Sequence, residues 1–110
     1  MSQWESQLRK GVVDLAVLAA IGDGEAYGYA IVERLRGYEG LAFTESTVYP
    51  VLTRLESERL LAVRVEESPR GPRRRYYRLT PQGRERLEGM AAGFGVLWRS
   101  LDRLIKGGES

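Results

Sequence analysis

The sequence has 110 residues, enough for one small domain and for no second hydrophobic core. It contains neither cysteine nor histidine, which excludes disulfides, the usual zinc ligands and every catalytic triad that needs an imidazole. The net charge is only +2 but is unevenly distributed, because residues 64–86 carry eight arginines against three glutamates, a local excess of +5.

Two further properties limit the class of protein. The longest uninterrupted apolar run, residues 15–21, has seven residues, too few to span a bilayer, and the N-terminal segment lacks a signal-peptide core. We therefore expect a soluble, cytoplasmic protein with no membrane partner, no cofactor and no metal ion. A basic segment on a slightly acidic body is typical of a surface for nucleic acid; the alternative is a solvated, arginine-rich hairpin.

Helical periodicity begins near the N-terminus. Over residues 7–21 the apolar side chains recur at helical spacing, which predicts one helix; they are Leu8, Val12, Leu15, Leu18 and Ala19. The stretch GDGEAYG, residues 22–28, ends this helix. A second helix is predicted from about Tyr27 to Arg36, with Ile31, Val32 and Leu35 on its buried face.

The stretch FTESTVYPVLTRLESERLL, residues 43–61, predicts a third helix with Thr44 as its N-cap. Its apolar face consists of Val48, Val51, Leu52 and Leu55. The other side carries mostly small hydroxyls, one tyrosine and one arginine: Ser46, Thr47, Tyr49, Pro50, Thr53, Arg54 and Ser57. Solvated helix faces usually carry Glu and Lys, so this face favours a binding role over a poorly optimised surface.

A β-hairpin follows the third helix. Residues 61–66 alternate apolar and polar side chains, SPRGP supplies a turn, and residues 73–79 form the returning strand. If Leu79 faces the core, the period of two places Tyr77 on the same side and Tyr76 on the other. The arginines at or near the hairpin tip are Arg70, Arg73 and Arg74.

A long last helix is predicted to begin after Thr80 as N-cap, with Pro81 at its first position. Its apolar residues are spaced 3, 4, 3, 4 and 3 apart, a heptad seam formed by Leu87, Met90, Phe94, Leu97, Leu101 and Leu104. A seam this regular at the end of a small domain favours pairing with a second copy of the chain. The alternative is that it covers the chain's own first helix.

Three helices followed by a hairpin with a basic tip are the layout of a winged helix-turn-helix, whose third helix enters the DNA major groove. Three blocks in this order resemble the PadR family of bacterial transcriptional regulators: AYGYAIVERL (26–35), STVYPVLTRLESERLL (46–61) and GPRRRYYRLTPQG (71–83). We therefore expect a mainly α fold with a small β-hairpin. Residues 5–79 would form the DNA-binding domain and residues 80–106 a C-terminal dimerisation helix.

The resemblance implies a homodimer that binds an inverted-repeat operator in double-stranded DNA and represses transcription. Dimerisation would run through the first and last helices, using Leu8 and Val12 together with the heptad seam. The residues expected to contact DNA lie at the start of the second helix, on the third helix and on the hairpin: Tyr27, Tyr29, Thr44, Ser46, Thr47, Tyr49, Thr53, Arg54, Arg70, Arg73, Arg74 and Tyr76.

Drug-sensing members of the family hold ligands with a tryptophan on the last helix. By that resemblance, Trp4, Phe94 and Trp98 are expected to line a slot for a small planar effector, apolar or cationic. The alternative is that Trp98 packs in the dimer core. The chain also departs from the family pattern at Ser46, Ala30 and Arg59. Arg59 replaces a helix-ending glycine, so either it takes a left-handed conformation or the helix ends differently.

Three other functions fit the sequence less well. A winged helix that binds protein and does not read DNA is the first, and the basic hairpin and hydroxyl-rich third helix argue against it. An enzyme is not expected, since catalysis would need paired carboxylates in an apolar cleft and none are evident. RNA or single strands are a third possible partner for arginine and tyrosine, but the helical face suits a duplex better.

Overall fold

The structure is a computed structural model and describes residues 2–107. Its elements are α1 (Gln3–Lys10), α2 (Val13–Ile21), β1 (Glu25–Tyr27), α3 (Gly28–Arg36), α4 (Glu45–Ser57), β2 (Leu61–Glu66), β3 (Arg74–Leu79) and α5 (Pro81–Ile105). The prediction of a mainly α fold with a small β-hairpin is confirmed. Within the described residues, no helix has the length and apolar character needed to cross a membrane.

The single helix predicted over residues 7–21 is wrong, because the structure has two helices separated at Gly11 and Val12. Val12 lies between them with φ −117° and ψ 1°. The apolar period runs unbroken through this point, so spacing did not reveal the break. Helix α1 also begins earlier than predicted. The Ser2 hydroxyl accepts from the backbone N–H of Glu5 at 3.3 Å, and the Glu5 carboxylate accepts from the backbone N–H of Ser2 at 3.0 Å.

A third strand lies where the sequence predicted only a break. Strand β1 pairs antiparallel with β3, so the sheet order is β1-β3-β2. At three residues it is too short to show a period of two. Strand β3 is therefore central and paired on both sides, and the register places its two tyrosines opposite β1 as Ala26↔Tyr77 and Tyr27↔Tyr76.

The hydrophobic core lies between α2, α3, α4 and the inner face of the sheet. The apolar faces predicted for the second and third helices are all buried. Fully buried side chains include Val17, Leu18, Ile31, Val32, Val48, Leu52 and Leu55. Each large aliphatic side chain buried in this way contributes about 1.5–3 kcal/mol. Tyr77 is buried with them, as the period of two predicted.

The end of α4 is fastened to the start of α5. Arg59 takes φ 65°, and the backbone N–H of Leu60 donates to the carbonyl of Leu55 at 2.9 Å, so a Schellman motif ends the helix with arginine in the left-handed position. The Thr80 hydroxyl donates to the carbonyl of Arg59 at 2.8 Å and accepts from the backbone N–H of Gly83 at 2.9 Å. The predicted N-cap at Thr80 is confirmed, and it also holds the end of α4.

The heptad seam of α5 divides into two parts. Leu87 and Met90 pack against the chain's own core, so the intramolecular alternative holds for this part. The side chains beyond them are exposed by about half or more: Phe94 48%, Leu97 64%, Leu101 51% and Leu104 72%. The helix therefore carries its apolar face away from the body of a molecule that measures 63 × 33 × 21 Å.

Gly83 allows α5 to approach the turn that follows α4, which gives a test of the packing. A Cβ at this position would lie 2.0 Å from the carbonyl oxygen of Leu60, a backbone atom that cannot swing aside. We expect Gly83→Ala to lower the free energy of unfolding by about 3 kcal/mol, the upper end of the usual cost of overpacking. Denaturant unfolding at fixed protein concentration measures this value.

The matched control is Gly89→Ala on the same helix, where a Cβ would meet nothing within 4 Å. Since alanine favours helix more than glycine does, the free energy of unfolding of this variant should rise by about 0.5–1 kcal/mol. Equal stability of Gly83→Ala and the wild type would contradict the close contact with Leu60.

Candidate nucleic-acid interface

The polar side of α4 is exposed, as predicted, and its hydroxyls contact one another. Thr44 Oγ1 lies 3.0 Å from Ser46 Oγ and 3.3 Å from Thr47 Oγ1. One turn later, the Thr53 hydroxyl donates to the carbonyl of Tyr49 at 3.2 Å. Thr44 occupies the N-cap position, but its hydroxyl makes no capping hydrogen bond. The early part of α4 therefore presents a row of small hydrogen-bonding groups to solvent.

Tyr49 packs against the start of α3. Gly28 is buried there, and a Cβ on it would lie 2.6 Å from Cε1 of Tyr49. A larger residue at this position would therefore force the tyrosine ring to shift. Burial raises the pKa of the Tyr49 phenol above its ordinary value, so the hydroxyl stays neutral and remains able to donate. With 38% of the residue exposed, Tyr49 is a positioned side chain at the edge of the surface.

The outer face of the sheet carries alternating arginines and tyrosines. The guanidinium of Arg74 lies 4.8 Å from the ring centroid of Tyr27, and that of Arg64 lies 4.6 Å from the ring centroid of Tyr76. The two rings are 5.8 Å apart. Such cation–π contacts contribute about 0.5–1 kcal/mol each at exposed sites. The tyrosines next to the arginines therefore hold two guanidiniums in place on the hairpin formed by β2 and β3, which we call the wing.

Two acidic residues attach the wing to the rest of the chain. Arg64 donates to both carboxylate oxygens of Glu25 in β1, at 2.9 and 3.2 Å, and these hydrogen bonds lower the pKa of the Glu25 carboxyl. On the other face, Arg75 donates to Glu56 of α4 at 2.8 Å and to the Tyr77 hydroxyl at 3.3 Å. These contacts hold the base of the wing relative to α4.

The arginines of the wing tip lie at the surface. Arg70 is exposed, and the Nε of Arg73 lies 3.1 Å from a carboxylate oxygen of Glu67, with 71% and 74% of the two side chains exposed. An ion pair this exposed contributes little and exchanges readily for another anion. The guanidiniums of Arg70 and Arg73 are therefore available to bind an anionic ligand.

Half of the residues predicted to contact DNA, six of twelve, meet at one cleft of about 460 Å³ between α4 and the wing. We call it the wing cleft; its lining includes Tyr27, Tyr29, Tyr49, Thr53, Arg73 and Arg74. A hydrogen bond with Glu33 raises the pKa of the Tyr29 phenol, which also stays neutral. The cleft offers phenols, one hydroxyl and arginines, groups that bind phosphate oxygens and base edges.

Arg54 is not part of this cleft. Its Nη2 lies 2.6 Å from Oδ1 of Asp14 in α2, and its Nη1 lies 3.3 Å from Oε2 of Glu58. The sequence placed Arg54 as the main charged contact of the third helix, but it did not show that an acidic residue 40 positions away would pair with it. The structure thus holds the Arg54 guanidinium toward α2, and its contact with DNA stays a prediction.

A second basic cleft, of about 270 Å³, was missed at the level of the sequence. We call it the α1 cleft; its lining includes Ser6, Arg9, Lys10, Phe43, Thr44 and Thr47. The Nε of Arg9 donates to the carbonyl of Gly40 at 2.9 Å, and its guanidinium lies 4.7 Å from the Phe43 ring centroid. The adjacent basic pair in α1 was the available signal, but it became informative only once the structure placed it beside α4.

The residues predicted for dimerisation and effector binding divide into two groups. Val12, Leu87 and Met90 pack against the core of their own chain. The others are exposed on α1 or α5, with Trp4 66%, Leu8 68% and Trp98 52% exposed. An apolar surface of this extent on two helices is unusual for a monomer.

The helices α2, α3 and α4, followed by an arginine-tipped hairpin, define a winged helix-turn-helix protein. The family model described as the transcriptional regulator PadR-like family matches residues 17–89. The chain belongs to this family, as the three sequence blocks predicted. Because its members are transcriptional regulators, the expectation that the chain is not an enzyme is also confirmed.

Individual relatives agree with this assignment. The transcriptional regulator Rv3488 of Mycobacterium tuberculosis is 35% identical over 104 residues, which cover 94% of this chain and 92% of the relative. A PadR family regulator from Eggerthella lenta has a similar structure, with a TM-score of 0.83, 34% identity and coverage of 92% of this chain and 88% of its own. Bacillus subtilis PadR in complex with operator DNA has a TM-score of 0.65 and 26% identity, over 73% of this chain and 46% of that one.

Proposed function

We propose that this regulator binds double-stranded DNA as a homodimer and represses transcription from an inverted-repeat operator. The observation that carries the proposal is the wing cleft, where α4 and the wing place hydroxyls, phenols and arginines around one opening. The likeness to a PadR protein solved in complex with operator DNA supports DNA binding. In this proposal residues 5–79 form the DNA-binding unit and residues 80–106 the dimerisation helix.

Helix α4 enters the major groove. An α-helix with its side chains is about 10–12 Å across and the major groove about 12 Å wide, so one helix fills it. The residues facing the bases and adjacent phosphates are Ser46, Thr47, Tyr49 and Thr53, while Thr44 lies at the helix start. Their short side chains let the helix approach closely. Ser46, which replaces the glycine common in the family, adds a hydroxyl that alters the operator preference.

The wing lies along the phosphate backbone. Arg74 is held over the Tyr27 ring, so less side-chain freedom is lost when it binds phosphate than for an unsupported arginine. Arg70 and Arg73 extend the contact toward the tip, and Tyr76 supports Arg64 beneath them. These contacts set affinity and position, because phosphates carry no direct sequence information.

We expect Arg74→Ala to weaken operator binding and to reduce the steepness of log K against log salt by about 1.8, because each of the two subunits loses one phosphate contact worth about 0.9. Base preference should not change. Fluorescence anisotropy over a salt series measures the affinity and its salt slope, on a duplex selected from a random pool by the purified protein. The control is Arg103→Ala in the last turn of α5, which should leave the slope unchanged.

An unaltered slope for Arg74→Ala would remove the wing from the interface. Failure of the wild type to bind any selected or palindromic duplex would overturn DNA binding itself and would favour a protein-binding winged helix.

Dimerisation places two copies of α4 on one face of DNA. Two such helices must lie about 34 Å apart, or a multiple of that distance, to enter successive major grooves. The exposed part of the α5 seam, with Trp4 and Leu8 of α1, supplies an apolar surface that a second copy covers. Its heptad spacing is the spacing that lets two helices pack along their length.

We expect Leu97→Glu to yield monomers, because it buries a charge in the seam, and to abolish tight operator binding. Light scattering coupled to size exclusion gives the mass, and anisotropy gives the affinity. Val96→Glu is the matched control: Val96 is 55% exposed but lies about 100–160° around the helix from Leu97, Phe94 and Leu101. A monomeric Leu97→Glu variant that still binds the operator tightly would contradict the dimer.

An effector site is the last part of the proposal. Trp4, Phe94 and Trp98 are all about half exposed or more in the single chain. In the dimer they line an apolar slot whose rings stack on a planar compound and attract a cationic one. Binding there changes the distance between the two copies of α4 and releases the operator.

We expect a planar cationic dye such as ethidium, added to the DNA-free protein, to quench tryptophan fluorescence. Since the chain has two tryptophans, Trp98→Phe and Trp4→Phe each report on the other. Most of the quenching, and the dye affinity, should be lost in Trp98→Phe. Equal quenching of the wild type and Trp98→Phe would mean that Trp98 only packs in the dimer core.

A further inference from the structure

Two basic clefts lie on opposite flanks of α4. The wing cleft contains Tyr49, and the α1 cleft contains Thr47. At about 100° per residue, these two side chains lie about 160° apart around the helix axis. Arg54, which is drawn toward α2, lies about 20° from Thr47 and so on the α1 side. Only the wing flank was expected to be basic from the sequence.

The charge of the α1 flank is set by contacts between elements. Arg9 and Lys10 end helix α1, and both line the cleft. Arg54 on this flank pairs with two acidic side chains, Asp14 at 2.6 Å and Glu58 at 3.3 Å. Glu5, one turn before Arg9, accepts hydrogen bonds from the backbone and hydroxyl of Ser2 at 3.0 and 2.8 Å. The residues that line the α1 cleft itself include two cations and no carboxylate beside the hydroxyls of α4.

Arg9 also fixes the position of this basic pair. It joins the end of α1 to the loop before α4 through the Gly40 carbonyl, and its guanidinium stacks over Phe43. Lys10 follows directly and is exposed. The pair is thus held next to the start of α4, where Thr44 and Thr47 belong both to the cleft and to the proposed reading face.

We propose that Arg9 and Lys10 bind backbone phosphates of the strand that borders the major groove opposite the wing. A helix in the major groove has a phosphate backbone on each side, because the groove is bounded by both strands. The wing contacts one of them, and the α1 cleft is the basic surface facing the other. Arg54 then acts on this flank by offsetting Asp14, which would otherwise repel the phosphates.

This inference rests on the proposed insertion of α4 into DNA, and Lys10 tests it with the least risk to the fold. We expect Lys10→Gln to reduce the steepness of log K against log salt by about 1.8, one contact of about 0.9 in each subunit, without a change in base preference. Lys10→Arg keeps the charge and should keep the slope. Lys106→Gln, at the far end of α5, is the distant control and should also leave the slope unchanged.

Combination with the wing variant separates the two flanks. If Lys10 and Arg74 contact different phosphates, the losses of slope add in Lys10→Gln/Arg74→Ala, to about 3.6 for the four contacts of the dimer. Phosphate ethylation interference then maps the two contacts to opposite strands across one major groove. Thermal unfolding of each variant checks that the fold is intact. Arg9→Gln also removes a structural contact, so its salt slope is interpreted only if its melting temperature matches that of the wild type.

The outcomes distinguish this inference from the function on which it depends. A normal slope in Lys10→Gln, together with a reduced slope in Arg74→Ala, overturns the α1 contact and leaves the wing contact standing. Interference sites for both residues on the same strand of one half-site also overturn it. A wild-type protein that binds no duplex overturns the proposed function as a whole.

Discussion

The burial of one face of α4 is the constraint on which the rest of the structure depends. Val48, Leu52 and Leu55 are fully buried where α4 packs on α2, α3 and β2, so the helix cannot rotate about its axis without exposing them. The hydroxyls on the opposite side are therefore directed outward by the core and not by contacts of their own. The Schellman turn at Arg59 and its bond to Thr80 then fix where α4 ends relative to the wing and α5.

The crowding of arginines in residues 70–80 has a physical explanation in the sheet. Strand β3 is paired on both sides, and its neighbours supply aromatic rings and carboxylates that hold several guanidiniums apart. Like charges concentrated on a flexible loop would repel one another and spread out. Arg74, Arg75 and Arg78 lie on β3, where pairing on both sides holds them at defined positions. The short strand β1 contributes to this by bringing Tyr27 and Glu25 to the arginines.

The parts of the fold that could be predicted are those with a repeated pattern. The apolar faces of α3 and α4, the wing, the buried Tyr77 and the capped start of α5 all follow from local spacing. The break at Gly11, the strand β1 and the Asp14–Arg54 pair do not, since the first is hidden in an unbroken period and the other two depend on partners distant in sequence. For the same reason the wing cleft could be anticipated from its residues, whereas the α1 cleft needed the placement of α1 beside Phe43.

The break between α1 and α2 leaves α1 as a short rigid rod with two unlike sides. Trp4 and Leu8 lie about 40° apart on one side, and Arg9 and Lys10 lie at least about 100° away from both. In the proposed assembly one side meets the partner subunit and the other meets DNA. A tilt imposed on the aromatic side by a bound compound must then displace the cationic side as well, because eight helical residues bend very little. A compound bound between the subunits would thus rotate helix α1 about Val12 and change the contacts that Arg9 and Lys10 make with the phosphates of one strand.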